Sequence, residues 1–172
     1  MSLKLDLHVH FHEAIGFVQL TVPMVKELVS TIKDSGLDGI AITDHYGYDT
    51  EIAYRVKEIV DLNFNGEVII IPGQECDVGL EHVVELFLPN NRVFRFLAHP
   101  TQLPVEDSIT DRIQGIEINN GQYGINRDAV RKFAEKNDLL LLSNSDAHRL
   151  NRIGIYYNEV DLDDLLKLSV DL

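Results

Sequence analysis

Apolar positions along this chain follow two rhythms, one helical and one strand-like, and almost every strand-like run stops on a histidine or an acid. From Lys4 to His12 the residues alternate. An extended chain would put Leu5, Leu7, Val9 and Phe11 on one side and Asp6, His8, His10 and His12 on the other. Glu13 to Leu20 reads as a loop. Thr21 and Pro23 then mark a helix start, Val25, Leu28, Val29 and Ile32 recur at helical spacing through Lys33, and Gly36 ends the run. Gly39 to Thr43 is nearly continuous in apolar residues, as a buried parallel strand is, and leads into Asp44 and His45. Tyr48 to Phe64 returns to the helical period through Ile52, Val56, Ile59 and Val60.

The second half repeats the theme. Glu67 to Glu75 reads as a buried strand finishing on a carboxylate, Cys76 to Glu81 as a turn, and His82 to Leu88 as a further strand that breaks the alternation of strand and helix. Val93 to Ala98 leads into His99-Pro100, and Gln102 to Arg112 is a polar loop with room for one helical turn. Gly115 to Asn120 is a strand ending in amides, Arg127 to Asp138 a helix, and Leu139 to Leu142 a strand that runs into Ser143-Asn144-Ser145-Asp146-Ala147-His148. Ile153 to Val160 reads as a last strand, and Asp161 to Val170 as a helix with acids at its start. Without repeats, linkers or low-complexity stretches, residues 1–172 are expected to form one domain of α/β class.

Composition narrows the partners. Lys and Arg total 15 against 28 Asp and Glu, a formal charge of -13, so the surface should repel a phosphate backbone and long nucleic acid is not expected. The single cysteine, Cys76, excludes an internal disulfide, and its environment reads as that of a small buried hydrophobe. No apolar run reaches membrane-spanning length and no leader precedes the first strand, which points to the cytoplasm.

His8 and His10 alone suit a solvated strand end as well as a metal. Six of the seven histidines, with Asp44, Glu75 and Asp146, fall at or just past predicted strand ends, however, and in parallel sheets those ends gather on one rim. Imidazoles mixed with carboxylates suit zinc, manganese or iron, and there are too many for one ion.

The motifs Asp6-Leu7-His8-Val9-His10, Thr43-Asp44-His45, Gly73-Gln74-Glu75, His82, Ala98-His99-Pro100, Ile116-Glu117-Ile118-Asn119-Asn120 and Ser145-Asp146-Ala147-His148 together resemble the polymerase and histidinol phosphatase (PHP) domain family of metal-dependent phosphoesterases. The resemblance implies a distorted (β/α)7-type barrel holding two or three divalent ions and no organic cofactor. On its pattern His8, His10, Glu75 and Asp146 hold the first metal, Glu75 bridges to a second completed by His82 and His99, and His45 and His148 serve a third. Family members supply a further Asp or His shortly after the His-x-His pair. Here Ala14-Ile15-Gly16 occupies that region, so either His12 or Glu13 substitutes or the third site is weak or empty.

The implied activity is hydrolysis of a small phosphate ester by a metal-bridged hydroxide, with two ions about 3.5 to 4 Å apart clamping the phosphoryl oxygens. Catalytic candidates are His45, Asp146 and His148, the two histidines as proton donors to the leaving group. Arg149 and Arg152 follow the last motif and suit either phosphate contact or surface pairing. Asp6 suits either orientation of a ligand imidazole or a solvated strand start. An inactive metal-binding or regulatory module is the alternative, and a nuclease is disfavoured by the charge.

Overall fold

The structure is a computed structural model that describes residues 2–49 and 51–172, leaving aside the side chains of residues 107 and 108. Met1 and Thr50, which fall within the segments read above, lie outside the described residues. Among the described residues the strands are β1 (Leu3–Val9), β2 (Gly39–Ile42), β3 (Ile69–Val78), β4 (Glu81–Leu88), β5 (Arg92–Ala98), β6 (Gly115–Asn120), β7 (Leu140–Asn144), β8 (Asn158–Val160) and β9 (Val170–Asp171). The helices are α1 (Phe11–Ala14), α2 (Val22–Asp34), α3 (Ile52–Asn63), α4 (Asp107–Thr110), α5 (Arg127–Asn137) and α6 (Leu162–Leu168). No helix is long and apolar enough to cross a membrane among the described residues.

Eight strands form one sheet in the order β7-β6-β5-β4-β3-β2-β1-β8, with β9 added beside β5. The pairs β1–β2, β2–β3, β5–β6 and β6–β7 are parallel, while β3–β4 and β4–β5 are antiparallel. This curls into a nearly closed barrel. Leu5, Leu7, Ala41, Ile71, Val84, Leu86, Phe94, Phe96 and Leu142 share one buried cluster that joins strands around the barrel. Val9, Ile40 and Ile42 instead pack with Val25, Leu28 and Val56 of α2 and α3. Val130 and Ala134 of α5 pack on Ile116 and Ile118.

The first strand departs from the strict alternation expected of Lys4 to His12. Asp6 lies opposite Ile40 but Val9 opposite Ile42, so β1 carries one extra residue there. Leu5 and Leu7 therefore join one cluster and Val9 and Phe11 another. The strand ends at Val9, and His12 sits in α1 rather than on the strand face. Other boundaries also moved. The β3 strand runs on to Val78, where cross-strand pairing with β4 satisfies the backbone read as a turn, whereas β8 keeps only three residues of Ile153–Val160. The β9 strand was not expected.

Among the described residues the backbones of β1 and β7 meet just past the strand ends, where the His10 N–H donates to the Ala147 carbonyl at 3.0 Å. Below that point side chains stand in for the ladder. Asn144 Oδ1 accepts from the Leu7 N–H at 3.1 Å, and Asp6 Oδ1 accepts from the Ser145 N–H at 3.0 Å. Asn158 Nδ2 donates to the Leu5 and Ser143 carbonyls at 3.3 and 3.0 Å, while its Oδ1 accepts from the Ser143 N–H at 2.8 Å. A carboxamide has the donor and acceptor of a peptide group, which is what a gap in a ladder lacks.

Replacing Asn158 with leucine keeps the volume but strands these buried groups, each worth about 1–3 kcal/mol when unpaired. Asn158→Leu is expected to lower unfolding free energy by about 2–4 kcal/mol, read from urea denaturation. An unchanged urea midpoint would mean that the seam does not depend on it.

Candidate metal centre

The strand ends converge as a rim of imidazoles around one carboxylate. Glu75, in β3, is buried, and its Oε1 lies 3.0 Å from His99 Nε2, 3.1 Å from His82 Nδ1 and 3.6 Å from His8 Nε2. Its Oε2 lies 3.1 Å from His45 Nδ1 and 3.3 Å from His10 Nε2. Burial pushes the Glu75 carboxyl up, but hydrogen bonds from His8 and His99 and the nearby imidazoles outweigh it and hold it well below the usual carboxylate range.

Asp146 Oδ1 lies 3.2 Å from His10 Nε2, 3.7 Å from His8 Nε2 and 3.5 Å from His148 Nδ1. Against the upward push of burial, His10 and His8 hold its carboxyl below the usual range too. Burial lowers the His10 pKa to about 4. For His8, burial acts downward, but the charge of Glu117 and its hydrogen bond outweigh it and raise the pKa well above the ordinary value.

Among the described residues, three groups of side chains bring a potential ligand atom each to within 4.8 Å of one another: His8, His10 and Asp146; His45, Glu75 and His82; and His10, Glu13, His45 and His148. Glu13 comes from the short helix α1, and its Oε1 and Oε2 lie 3.7 Å from His45 Nε2 and 3.4 Å from His148 Nε2. Asp44 places that helix, because its Oδ1 accepts from the His12 and Glu13 N–H groups at 2.9 and 3.3 Å. Burial raises the Asp44 carboxyl to about 6. Of the two residues weighed for the gap after the His-x-His pair, Glu13 is the one that joins the cluster.

A divalent cation fits this set. Asp146 Oδ1, Glu13 Oε1 and His10 Nδ1 are buried without a hydrogen-bond partner, an arrangement that buried polar atoms otherwise avoid. Neutral imidazole nitrogens and carboxylate oxygens at these separations are the donors that transition metals take. The backbone is held in the left-handed region at His99 (φ 27°) and Asp146 (φ 51°), strain of the sort that functional sites store.

Behind the cluster stands a residue to which the sequence reading gave no role. Glu117 is fully buried, and its Oε1 faces His8 Nδ1 at 3.0 Å and accepts from Asn144 Nδ2 at 2.8 Å. Its Oε2 accepts from the His99 N–H and from Asn120 Nδ2, both at 2.8 Å. A carboxylate at Nδ1 keeps the proton there and leaves Nε2 of His8 to the cluster. The signal was an acid between two isoleucines in a strand that is otherwise apolar up to its terminal amides. Asp6 does not do this work. Its oxygens accept from the backbone of Ser145, Gly154 and His8, and no imidazole contacts them.

At the rim, Arg149 is exposed and Arg152 donates to the Gly121 carbonyl at 3.0 Å, so only the former guanidinium has no partner among the described residues. Gln122 Nε2 donates to the Asp146 carbonyl at 3.2 Å, and the Tyr123 ring lies 4.3 Å from that of His99. Cys76 is half-buried, and burial with the nearby Glu85 raises its thiol to about 11, far from the range of a nucleophile or ligand.

Comparison with known proteins agrees with this architecture. Residues 124–168 match the family model described as PHP-associated. A crystal structure from Bifidobacterium adolescentis ATCC 15703, of a protein described as a candidate metal-dependent phosphoesterase, superposes with a TM-score of 0.71 at 15% identity, over 98% of this chain and 97% of that one. PsfC from Pseudomonas syringae PB-5123 superposes with a TM-score of 0.65 at 17% identity, over 89% of this chain and 79% of that one. At such identities the likeness is one of fold. No curated protein matches. The chain is thus similar to PHP-associated sequences over residues 124–168 and to these two structures in the fold of its barrel.

Proposed function

We propose that this chain hydrolyses a small phosphate ester with the help of two or three divalent ions, zinc, manganese or iron. One observation carries the reading: the three ligand groups overlap, sharing His10 and His45, with the Glu75 carboxylate between them. Shared ligands are what a multinuclear site needs and what a single structural ion does not. His8, His10, Glu75 and Asp146 would hold one ion, Glu75, His82 and His99 a second, and Glu13, His45 and His148 a third. When bound, such ions neutralise charge on the phosphoryl oxygens and make water a nucleophile at neutral pH.

The chain's own groups do the rest. Glu117 fixes the ring of His8, and Asp44 fixes the helix that carries Glu13. Asp146 and Glu75 stay ionised because imidazoles crowd them. The side chains of His45 and His148 are 33% and 32% exposed against 0% for His8 and His10, so they stand at the mouth, where either one, when it is not holding the third ion, can pass a proton to the departing oxygen. Arg149 follows His148 in the chain and offers a guanidinium to the phosphate. A reducing cytosol suits a chain with a single cysteine.

Purified protein is expected to carry transition metal and to release phosphate from an aryl phosphate. His10→Ala and Asp146→Ala should abolish that release. Metal-loaded protein that turns over no ester on a broad panel would instead be a binding module. Glu117→Gln presents an amide N–H to donors that now have an acceptor. It is expected to cost about 10–100-fold in metal affinity, measured by competition with a chromogenic chelator, and an unaltered affinity would remove Glu117 from the site.

A further inference from the structure

We propose that the cleft between residues 15–21 and helix α3 receives the leaving group of the ester and selects an uncharged aromatic alcohol. The proposal rests on the phosphoesterase reading for its reaction and on separate observations for the cleft. Its volume is 560 Å³, enough for a one- or two-ring group. Phe17, Leu20 and Ile59 give it apolar walls, and Asp49, Arg55 and Glu58 line it as well.

Ring contacts connect it to the metal centre. The Phe17 ring lies 5.2 Å from the Tyr48 ring, and Tyr48 lies 6.0 Å from His45. On the other side Phe17 lies 5.2 Å from His12, the neighbour of Glu13 in α1. The cleft is thus one ring, that of Tyr48, away from His45, and the leaving group of an ester whose phosphoryl sits among His45, His148 and Glu13 would reach it past Tyr48.

Phe17 is the specific feature. Its backbone is left-handed (φ 58°), a conformation that costs a bulky residue of order 1–3 kcal/mol. Strain of this size is normally offset by burial, yet Phe17 is 52% exposed. Its N–H donates to the His12 carbonyl at 2.9 Å, so the loop is pinned with the ring half open to the cleft. Its edge contacts with Tyr48 and His12 leave that half uncovered, and an aromatic partner in the cleft would cover it.

Charge sets the second criterion. The Arg55 guanidinium is bonded to Asp49, and Glu58 adds a further carboxylate, so the lining is net negative and disfavours a leaving group with its own anion. The reaction is hydrolysis: water adds to phosphorus, the P–O bond to the aromatic oxygen breaks, and that oxygen takes up a proton to leave as a phenol.

The test compares kcat/KM of metal-loaded protein on 4-methylphenyl phosphate, 4-carboxyphenyl phosphate and glycerol 2-phosphate. Phe17→Gly suits the left-handed backbone and removes the ring. It is expected to lower the aryl-to-glycerol ratio about tenfold, and Glu58→Gln should narrow the preference for the methyl over the carboxyl ester severalfold. Ratios unmoved by both substitutions would overturn the proposal. Calorimetric binding of phenylphosphonate against methylphosphonate reads the cleft without turnover. A wild-type preference for phenylphosphonate that Phe17→Gly erases supports the cleft even if no ester is hydrolysed, an outcome that would sink the phosphoesterase reading alone. Equal binding of the two phosphonates by wild type would sink the cleft alone.

Discussion

A carboxylate out of water, faced by five imidazoles, is the constraint on which the rest of this molecule turns. Glu75 lies within 3.6 Å of His8, His10, His45, His82 and His99, which come from β1, its end, the loop after β2, strand β4 and the end of β5. No short segment can surround a carboxylate so; only a sheet curled on itself brings those ends within reach. The barrel and the cluster are therefore one requirement. Burial alone would protonate Glu75 and dissolve the arrangement, and the imidazoles prevent it by making the anion the favoured form.

The same economy governs the seam. Asn144 donates to Glu117 Oε1 and accepts from the Leu7 N–H, so the side chain that bridges β7 to β1 also holds the carboxylate that orients His8. Asn158 in turn donates to Asn144 Oδ1 at 2.8 Å. A continuous chain of hydrogen bonds thus runs from the edge strand β8 to the metal centre. In a ladder of backbone pairs the two would be independent. Here a disturbance of the seam reaches His8 through two residues, because buried polar networks leave no slack for an unpaired member.

Much of this was legible beforehand. Apolar runs ending in His45, Glu75, His99 and Asp146 located the rim, since a strand buried on both faces has no other reason to finish on ionisable groups. The helices from Val25 to Ile32 and from Ile52 to Val60 followed from their period. What escaped was set by tertiary geometry. An extra residue in β1 has no sequence signature, so the alternation from Asp6 to His12 put Asp6 on the wrong face and His12 on a strand it does not enter. Glu117 and the seam amides look like ordinary polar residues until the partner strands are in place. The proximity of Glu13 depends on a turn of helix that four residues cannot announce.

The exposure gradient across the cluster carries the argument one step further. His8, His10, Glu75 and Asp146 are almost wholly withdrawn from water, whereas His45, His82 and His148 keep about a third of their side-chain surface. A site built only to brace the fold would close over its ligands, as structural metal sites do, while one that handles substrate must leave positions open. Of the deep residues, His8 is held from behind by Glu117 and His10 by the seam through the Ala147 carbonyl, and of the shallow ones His45 borders Tyr46 and Tyr48. Rigidity below and access above is the division of labour that the proposed hydrolysis would need, with bound cations staying while a small anion came and went. With 28 acids against 15 basic residues on the chain, the cluster is also the place where bound cations would turn a repelling surface into an attracting one.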